Sequence, residues 1–345
     1  MEYINDININ EAVIHILDSN GEAPVLNEYS LELNEDVYKF IHRHLEKCLK
    51  DEELKYAKFN KGTSIIKESV QHYLNGTESD LIDVSKELAR QLFSIMKGNC
   101  NIPSADLIIV SIITDQGPMI AILKMDYIKN FTHEIQFIDS KIGVDIIPQL
   151  AGLPGSGQRI QKAAFLKPIR EDETYNLMIL DKQKASKEDE YGANYLLNTF
   201  LDATIITNER DMTKTFMKAS ENWIRKNITD DAVMQEITRR TIKNKLKEED
   251  IINIDEVAAE LFSENPQIEE DFTNYIKHQG LNEDIAVDKT WVEKNFKRVR
   301  LNIDKQIDLY INDNAYNDSS KFEIVINGDG TVNFVIKNVI NYIEK

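Results

Sequence analysis

The spacing of apolar positions changes character along the chain, and each change predicts a different element. Alternation over residues 11–17 and 25–33, on either side of Asp18-Ser19-Asn20-Gly21, predicts two strands and a turn, because an Asn-Gly pair accepts positive φ at little cost. Helical spacing follows. Val37, Ile41, Leu45 and Cys48 predict one helix, and Leu81, Val84, Leu88, Leu92 and Ile95 predict another that Gly98 closes. Between them, residues 65–74 predict a shorter helix ending at Asn75-Gly76.

From Asp106 the pattern turns to strands. DLIIVSII and MIAILKMDY flank the turn at Asp115-Gln116-Gly117-Pro118, and both are too apolar to face solvent, so at least one belongs in the middle of a sheet. HEIQFIDS is expected to continue this meander, and GQRIQKAAFLKPI and YNLMILDKQ to add further strands. Pro148 and Pro154 have no N–H for a ladder and are confined to loop or edge. The polar run from Lys182 to Glu190 reads as a linker.

Beyond it, Met212, Phe216, Ala219 and Trp223 form one helical stripe, and Val233, Ile237 and Thr241 begin another. Asn265-Pro266 places a cap before a first-turn proline, Ile268, Phe272 and Ile276 line the helix, and Gly280 ends it. The chain closes on strands. RVRLNI and QIDLYI alternate, and residues 321–337 form a hairpin in which Phe322, Ile324 and Ile326 share a face, as do Val332, Phe334 and Ile336.

These elements describe an α+β fold: an N-terminal antiparallel sheet packed with helices, a helical middle segment and a C-terminal β-hairpin-containing region. The corresponding boundaries are residues 1–185, 186–280 and 281–345. At 345 residues, two or three modules match a prior of roughly one per 150 residues.

Charge narrows the choice of partners. With 59 acidic against 41 basic residues the net charge is −18, so phosphate backbones and anionic membranes are repelled on average, and nucleic-acid contact needs a locally basic face. The simplest role of the acid is solubility. Cys48 and Cys100 sit among apolar residues without metal-ligand spacing, which fits thiols in a reducing compartment. The start MEYINDININ lacks the pattern of a signal peptide, and no run of about 20 apolar residues spans a membrane, so a cytosolic location is expected.

Motifs for chemistry are few. The loop GLPGSGQR lacks the Lys-Ser/Thr of a P-loop, and strand-like alternation rather than a helix follows Gly157, so a sheet-edge loop is the better reading. It would present Arg159, Lys162 and Lys167 as a basic edge, although alternation puts Arg159 and Lys162 on opposite faces. Asp126, Asp139 and Lys141 could mimic the carboxylate pair and lysine of a PD-(D/E)xK nuclease, but an acid-x-Lys triplet is common in a charged chain. The histidines make no i,i+4 zinc pair, and no cofactor site is expected.

Two basic clusters carry more weight. Arg239, Arg240 and Lys243, with Lys245 and Lys247, crowd one helix end; Lys294, Lys297, Arg298 and Arg300 surround Phe296 after Trp291. Helix-dipole pairing and ordinary solvation account for such charges, and phosphate contact with stacking aromatics is the functional alternative.

The element order also resembles the bacterial 37-kDa nucleoid-associated protein family. The likeness is carried by AVIHIL, the apolar hairpin at 106–125, FLKPI, YLLNTFLDA, EVAAELF with IEEDFTNYIKHQGL, and the terminal DLYIND and FEIVINGDGTVNFVIKN. It implies a cytoplasmic, nucleoid-located bacterial protein that binds DNA with little sequence preference and without catalysis. A homodimer is compatible with it. An acidic adaptor for DNA-processing enzymes is the alternative, and a metal-dependent nuclease a distant third.

Overall fold

The computed structural model describes residues 3–77, 80–99, 101–138, 141–151, 153, 160–182, 194–229, 231–303, 305–329 and 331–343. The chain divides into two compact units, Glu2–Ile206 and Thr207–Lys345.

The first unit begins with β1 (Ile7–Leu17), where a bulge at Ile9/Glu11 resets the alternation so that Val13, His15 and Leu17 are buried. The strand expected over residues 25–33 does not form. Val25 makes a single bridge to Ile16, Leu31 N–H donates to the Ala12 carbonyl at 2.8 Å, and Asn27 N–H donates to His15 Nδ1 at 3.0 Å. That last bond leaves the ring proton on Nε2, which reaches Ser85 Oγ at 2.9 Å; the serine in turn donates to the Ile82 carbonyl. The side chain of a buried histidine thus fastens an irregular segment that has no ladder of its own.

Helix α1 (Glu35–Leu49) is capped by the Asn34 side chain and buries Ile41, Leu45 and Cys48. Strand β2 (Lys55–Phe59) is followed by α2 (Ile65–Leu74) and by α3 (Leu81–Gly98), which Asp80 caps. β3 (Ala105–Thr114) and β4 (Gly117–Asp126) are the apolar hairpin, turning with Gly117 at φ +97°. Next come β5 (Ile128–Ile138), β6 (Lys141–Ala151), β7 (Lys162–Leu166), β8 (Leu177–Asp181), a π-helical turn (Tyr195–Phe200) and β9 (Ala203–Ile206).

Seven strands form one antiparallel sheet in the order β1-β3-β4-β7-β8-β2-β9. Both strands of the apolar hairpin are interior, which explains their nearly unbroken burial. Leu107, Ile109, Ile120, Ile122, Ala164, Leu166, Leu177 and Ile179 face a layer built from α2, α3 and the π-helical turn. The meander is interrupted: β5 and β6 pair with each other in a separate ribbon, and β7 lies directly beside β4, from Ile120↔Leu166 to Lys124↔Lys162. Pro148 lies in this ribbon, opposite Phe131, where each strand has one unpaired edge. The five-residue β2 was not foreseen, because its pairing partners, β8 and β9, lie more than a hundred residues away.

The second unit opens with α4 (Glu209–Asn227) and α5 (Ala232–Glu248), capped by Asn208 and Asp231. Then come β10 (Ile251–Asn253), α6 (Ile254–Phe262), α7 (Pro266–Lys277), β11 (Asp284–Ala286) and α8 (Lys289–Asn295). The core joins Phe216 and Trp223 of α4, Ile242 and Leu246 of α5, Phe262, Phe272 and Ile276. Trp223 lies against Phe262 and Phe272 at 5.2 and 5.0 Å, and its indole N–H donates to Asp271 at 2.8 Å. Asn265 and Pro266 start α7 as expected, and Gly280 at φ +82° ends the turn after it.

On α5 the buried stripe is Thr238, Ile242 and Leu246, one position round from the expected 233, 237 and 241, and Ile237 is exposed. Leu281, Ile285, Val287 and Val292 share the core of α4–α7, so packing continues past residue 280.

The chain finishes with β12 (Arg298–Ile303), β13 (Ile307–Asn312), α9 (Asp313–Tyr316), β14 (Phe322–Ile326) and β15 (Val332–Ile336). The last two pair Phe322↔Ile336, Ile324↔Phe334 and Ile326↔Val332, which puts the two expected apolar rows on one face.

Candidate nucleic-acid interface

Helical spacing builds one wall of a cleft in the second unit. Met217, Ser220, Glu221, Ile224 and Arg225 share a face of α4, and Gln235, Glu236, Arg239, Ile242 and Lys243 share a face of α5. Arg300 to Ile303 of β12, Tyr316 of α9, and Ile324, Val332 and Phe334 of the final hairpin close the other side around about 980 Å³. The cleft face of α5 adjoins its core stripe, which accounts for the displacement of the apolar face from the expected positions.

Four cations meet two carboxylates in this lining: Arg225, Arg239, Lys243 and Arg300 against Glu221 and Glu236. Glu221 takes Arg239 at 2.8 and 3.1 Å and Arg225 at 2.6 Å. Burial opposes ionisation of Glu221, and the bonds from Arg239 and Arg225 outweigh it, leaving its pKa below the ordinary value. Glu236 accepts the Tyr316 hydroxyl, whose pKa is raised by burial and then by that carboxylate. Arg300 lies 3.5 Å from Asp308 and over the Tyr310 ring at 5.1 Å.

Lys243 differs from the rest. Among the described residues no carboxylate lies within ion-pair distance of it. Burial draws its pKa below the usual lysine value, and Glu236 and Glu221 pull it back from farther away. A cation held this way gains most from an arriving anion, since the anion replaces both the missing partner and the lost solvent.

The sequence-derived basic residues separate into three fates. Arg239, Lys243 and Arg300 are brought into the cleft. Arg240, Lys294, Lys297 and Arg298 are exposed, with Arg298 bonded to Asn312 at 3.3 Å and Arg240 acting through space on Tyr316. Lys245 and Lys247 are taken up by Glu249, Glu260 and Asp313.

The expected basic edge at Lys162 and Lys167 does not exist. Lys162 is 7% exposed, ion-paired with Asp181 beside it on β8 and placed over the Tyr195 ring. Lys167 is 5% exposed, 3.3 Å from Glu173 and over Tyr175. Lys162 starts the interior strand β7 and Lys167 directly follows it; their opposite parity sends them to opposite faces of the sheet, and β7 is buried on both. Arg159, like Gly155 and Gly157, lies outside the described residues.

The carboxylate-lysine triplet is likewise dispersed. Asp126 is ion-paired with the fully buried Lys124, Lys141 begins β6 and is exposed, and Asp139 lies outside the described residues. Among the described residues no cluster of three His, Cys, Asp or Glu side chains could hold a metal ion.

The sequence does not single out Arg225 or Tyr316. The signal for Arg225 was its spacing, four residues after Glu221 on the border of the α4 stripe. Tyr316 had none, because its place depends on how the last strands pack against α5.

With the fold and cleft described, comparison with known families is decisive: a family model described as nucleoid-associated protein YejK matches residues 13–344. The chain belongs to this nucleoid-associated family. No individually curated protein matches it. Membership agrees with the resemblance read from the sequence and associates this chain with the bacterial nucleoid. No helix among the described residues is long and apolar enough to cross a membrane.

Proposed function

We propose that this nucleoid-associated family member binds DNA directly, through phosphate contacts centred on the α4–α5 cleft, with little base reading and no catalytic step. The observation that carries this is the convergence of Arg225, Arg239, Lys243 and Arg300 on one concave surface of a chain whose net charge is −18. Local cations can override the mean field because surface charges are screened beyond about 8–10 Å at moderate salt.

The cleft volume is near the top of the roughly 300–1,000 Å³ range of small-ligand sites, so it admits a length of one backbone rather than a duplex. Arg298, on the same face of β12 as Arg300, and Arg240 beside Arg239 extend the contact along the strand. Side chains that read only phosphate position the nucleic acid without specifying its sequence.

A gel-shift titration at two salt concentrations tests the proposal. Affinity should fall steeply, by roughly a thousandfold or more between about 50 and 200 mM salt if six or more phosphates are contacted. Absence of any complex at the lower salt would sink direct binding and leave the acidic adaptor for DNA-processing proteins in its place.

A further inference from the structure

The β5–β6 ribbon gathers its most exposed large apolar side chains on one face, while Ile147 opposite Thr132 belongs to the other. Cross-strand register places Phe131 opposite Pro148, His133 opposite Ile146, Ile135 opposite Val144 and Phe137 opposite Ile142. Alternation puts these four pairs on one side, with Lys129 stacked over Phe131 at their base. Glu134, paired with Asp145, belongs to the other side. The apolar row is open to solvent: Phe137 is 76% exposed, Ile146 72% and Ile142 70%.

Such a ribbon cannot stand well alone. A two-stranded hairpin is marginal in water, and like charges directly opposite each other, as at Glu134 and Asp145, weaken it further. We propose that this apolar face is where two copies of the chain associate, ribbon against ribbon about a two-fold axis.

Three features select a second copy as the occupant. The row is self-complementary, with aromatic Phe131 and Phe137 near its two ends and aliphatic Ile135 and Val144 between them, so an antiparallel two-fold sets ring against ring and centre against centre. Its described side chains include no carboxylate, so two chains of charge −18 can meet there without opposing anions. The exposed row offers on the order of 700 Å² per copy, close to the roughly 800 Å² per partner of a standard stable interface. DNA is a poor occupant, since Lys129 and His133 are the only described basic side chains on that face.

Sedimentation velocity of the full chain from about 1 to about 100 µM, which brackets micromolar dissociation constants, reads the result directly. The wild type should sediment with about twice the 39.8 kDa monomer mass, and Ile135→Asp and Val144→Asp should each shift it to monomer while far-UV circular dichroism stays unchanged. A second arm introduces Ile135→Cys in a Cys100→Ser background, Cys48 being buried with its thiol pushed up to about 12. A flexible bis-maleimide spanning roughly 10–15 Å should then couple two copies at this residue, since facing sheets lie about 10 Å apart. A wild type that remains monomeric throughout, or a dimer that survives both aspartate variants with no cross-link at residue 135, overturns the proposal.

Discussion

In the first unit Lys124, Lys162, Lys167 and Lys182 are buried, or nearly so, and each has a carboxylate at its Nζ: Asp126, Asp181, Glu173 and Asp51. In the second unit Arg225, Arg239, Lys243 and Arg300 line an open cleft in which two carboxylates are shared among four cations. Lysine and arginine clusters of similar density in sequence therefore end as internal ion pairs in one region and as an anion-accepting surface in the other. What separates them is whether burial encloses a cation together with a carboxylate, from the same strand for Lys124, the neighbouring strand for Lys162, and loop residues for Lys167 and Lys182. Lys162 has Asp181 directly opposite, whereas Lys243, on a helix face, has no carboxylate at ion-pair distance among the described residues, only Glu236, Glu221 and Asp313 acting from farther away.

Breaking a buried pair should have the largest consequence. Asp181→Ala leaves Lys162 inside without its carboxylate, and denaturant titration should show a loss of about 3–5 kcal/mol, with DNA affinity per folded molecule unchanged. A loss below about 1 kcal/mol would mean that the first unit tolerates free charge as the cleft does.

Reversing cleft charges should do the opposite. Lys243→Glu combined with Arg300→Glu should weaken DNA binding about a hundredfold, or ~2.7 kcal/mol, and lower the salt slope by roughly two, with little change in stability. Unchanged affinity would place the contact elsewhere.

The His15 contact gives a pH signature confined to the first unit. Burial, then Lys86 and Arg90, lower its pKa from 6.5 to about 4. Because the folded value is the depressed one, the stabilisation is fully present above pH 6.5 and is lost as pH falls toward 4, when the unfolded chain binds the proton more readily. With solvent screening of Lys86 and Arg90 the window is worth about 2 kcal/mol. Urea titrations at several pH values should show this fall and its flattening in His15→Gln.

The smallest effect is expected from Tyr316→Phe. Removing the hydroxyl frees the Glu236 carboxylate toward the cleft, which should cost about 1 kcal/mol of stability and a few-fold in DNA affinity, read by denaturation and gel shift on the same variant.

Local features were largely legible. The limits of α2, the caps Asn265 and Pro266 of α7, and the pairing of Phe322, Ile324 and Ile326 with Ile336, Phe334 and Val332 all follow from side chains within a few residues of one another. The candidate site was legible in part: Arg239, Lys243 and Arg300 were marked as basic, yet so were Lys162 and Lys167, which are buried. Nothing in AAFLK distinguishes a solvent-facing edge strand from an interior one.

The sequence by itself determined the α+β class, the ends of α2 and α7 and the terminal hairpin, because propensity, capping and alternation act over a turn of helix or a pair of strands. Tertiary structure decided that β7 pairs with β4 and leaves the β5–β6 ribbon bare, and that Lys182 meets Asp51, 131 residues away. It also decided which cations remain available to an anion. An ion pair forms where distant strands bring opposite charges within a few ångströms, and only the packed fold sets that distance.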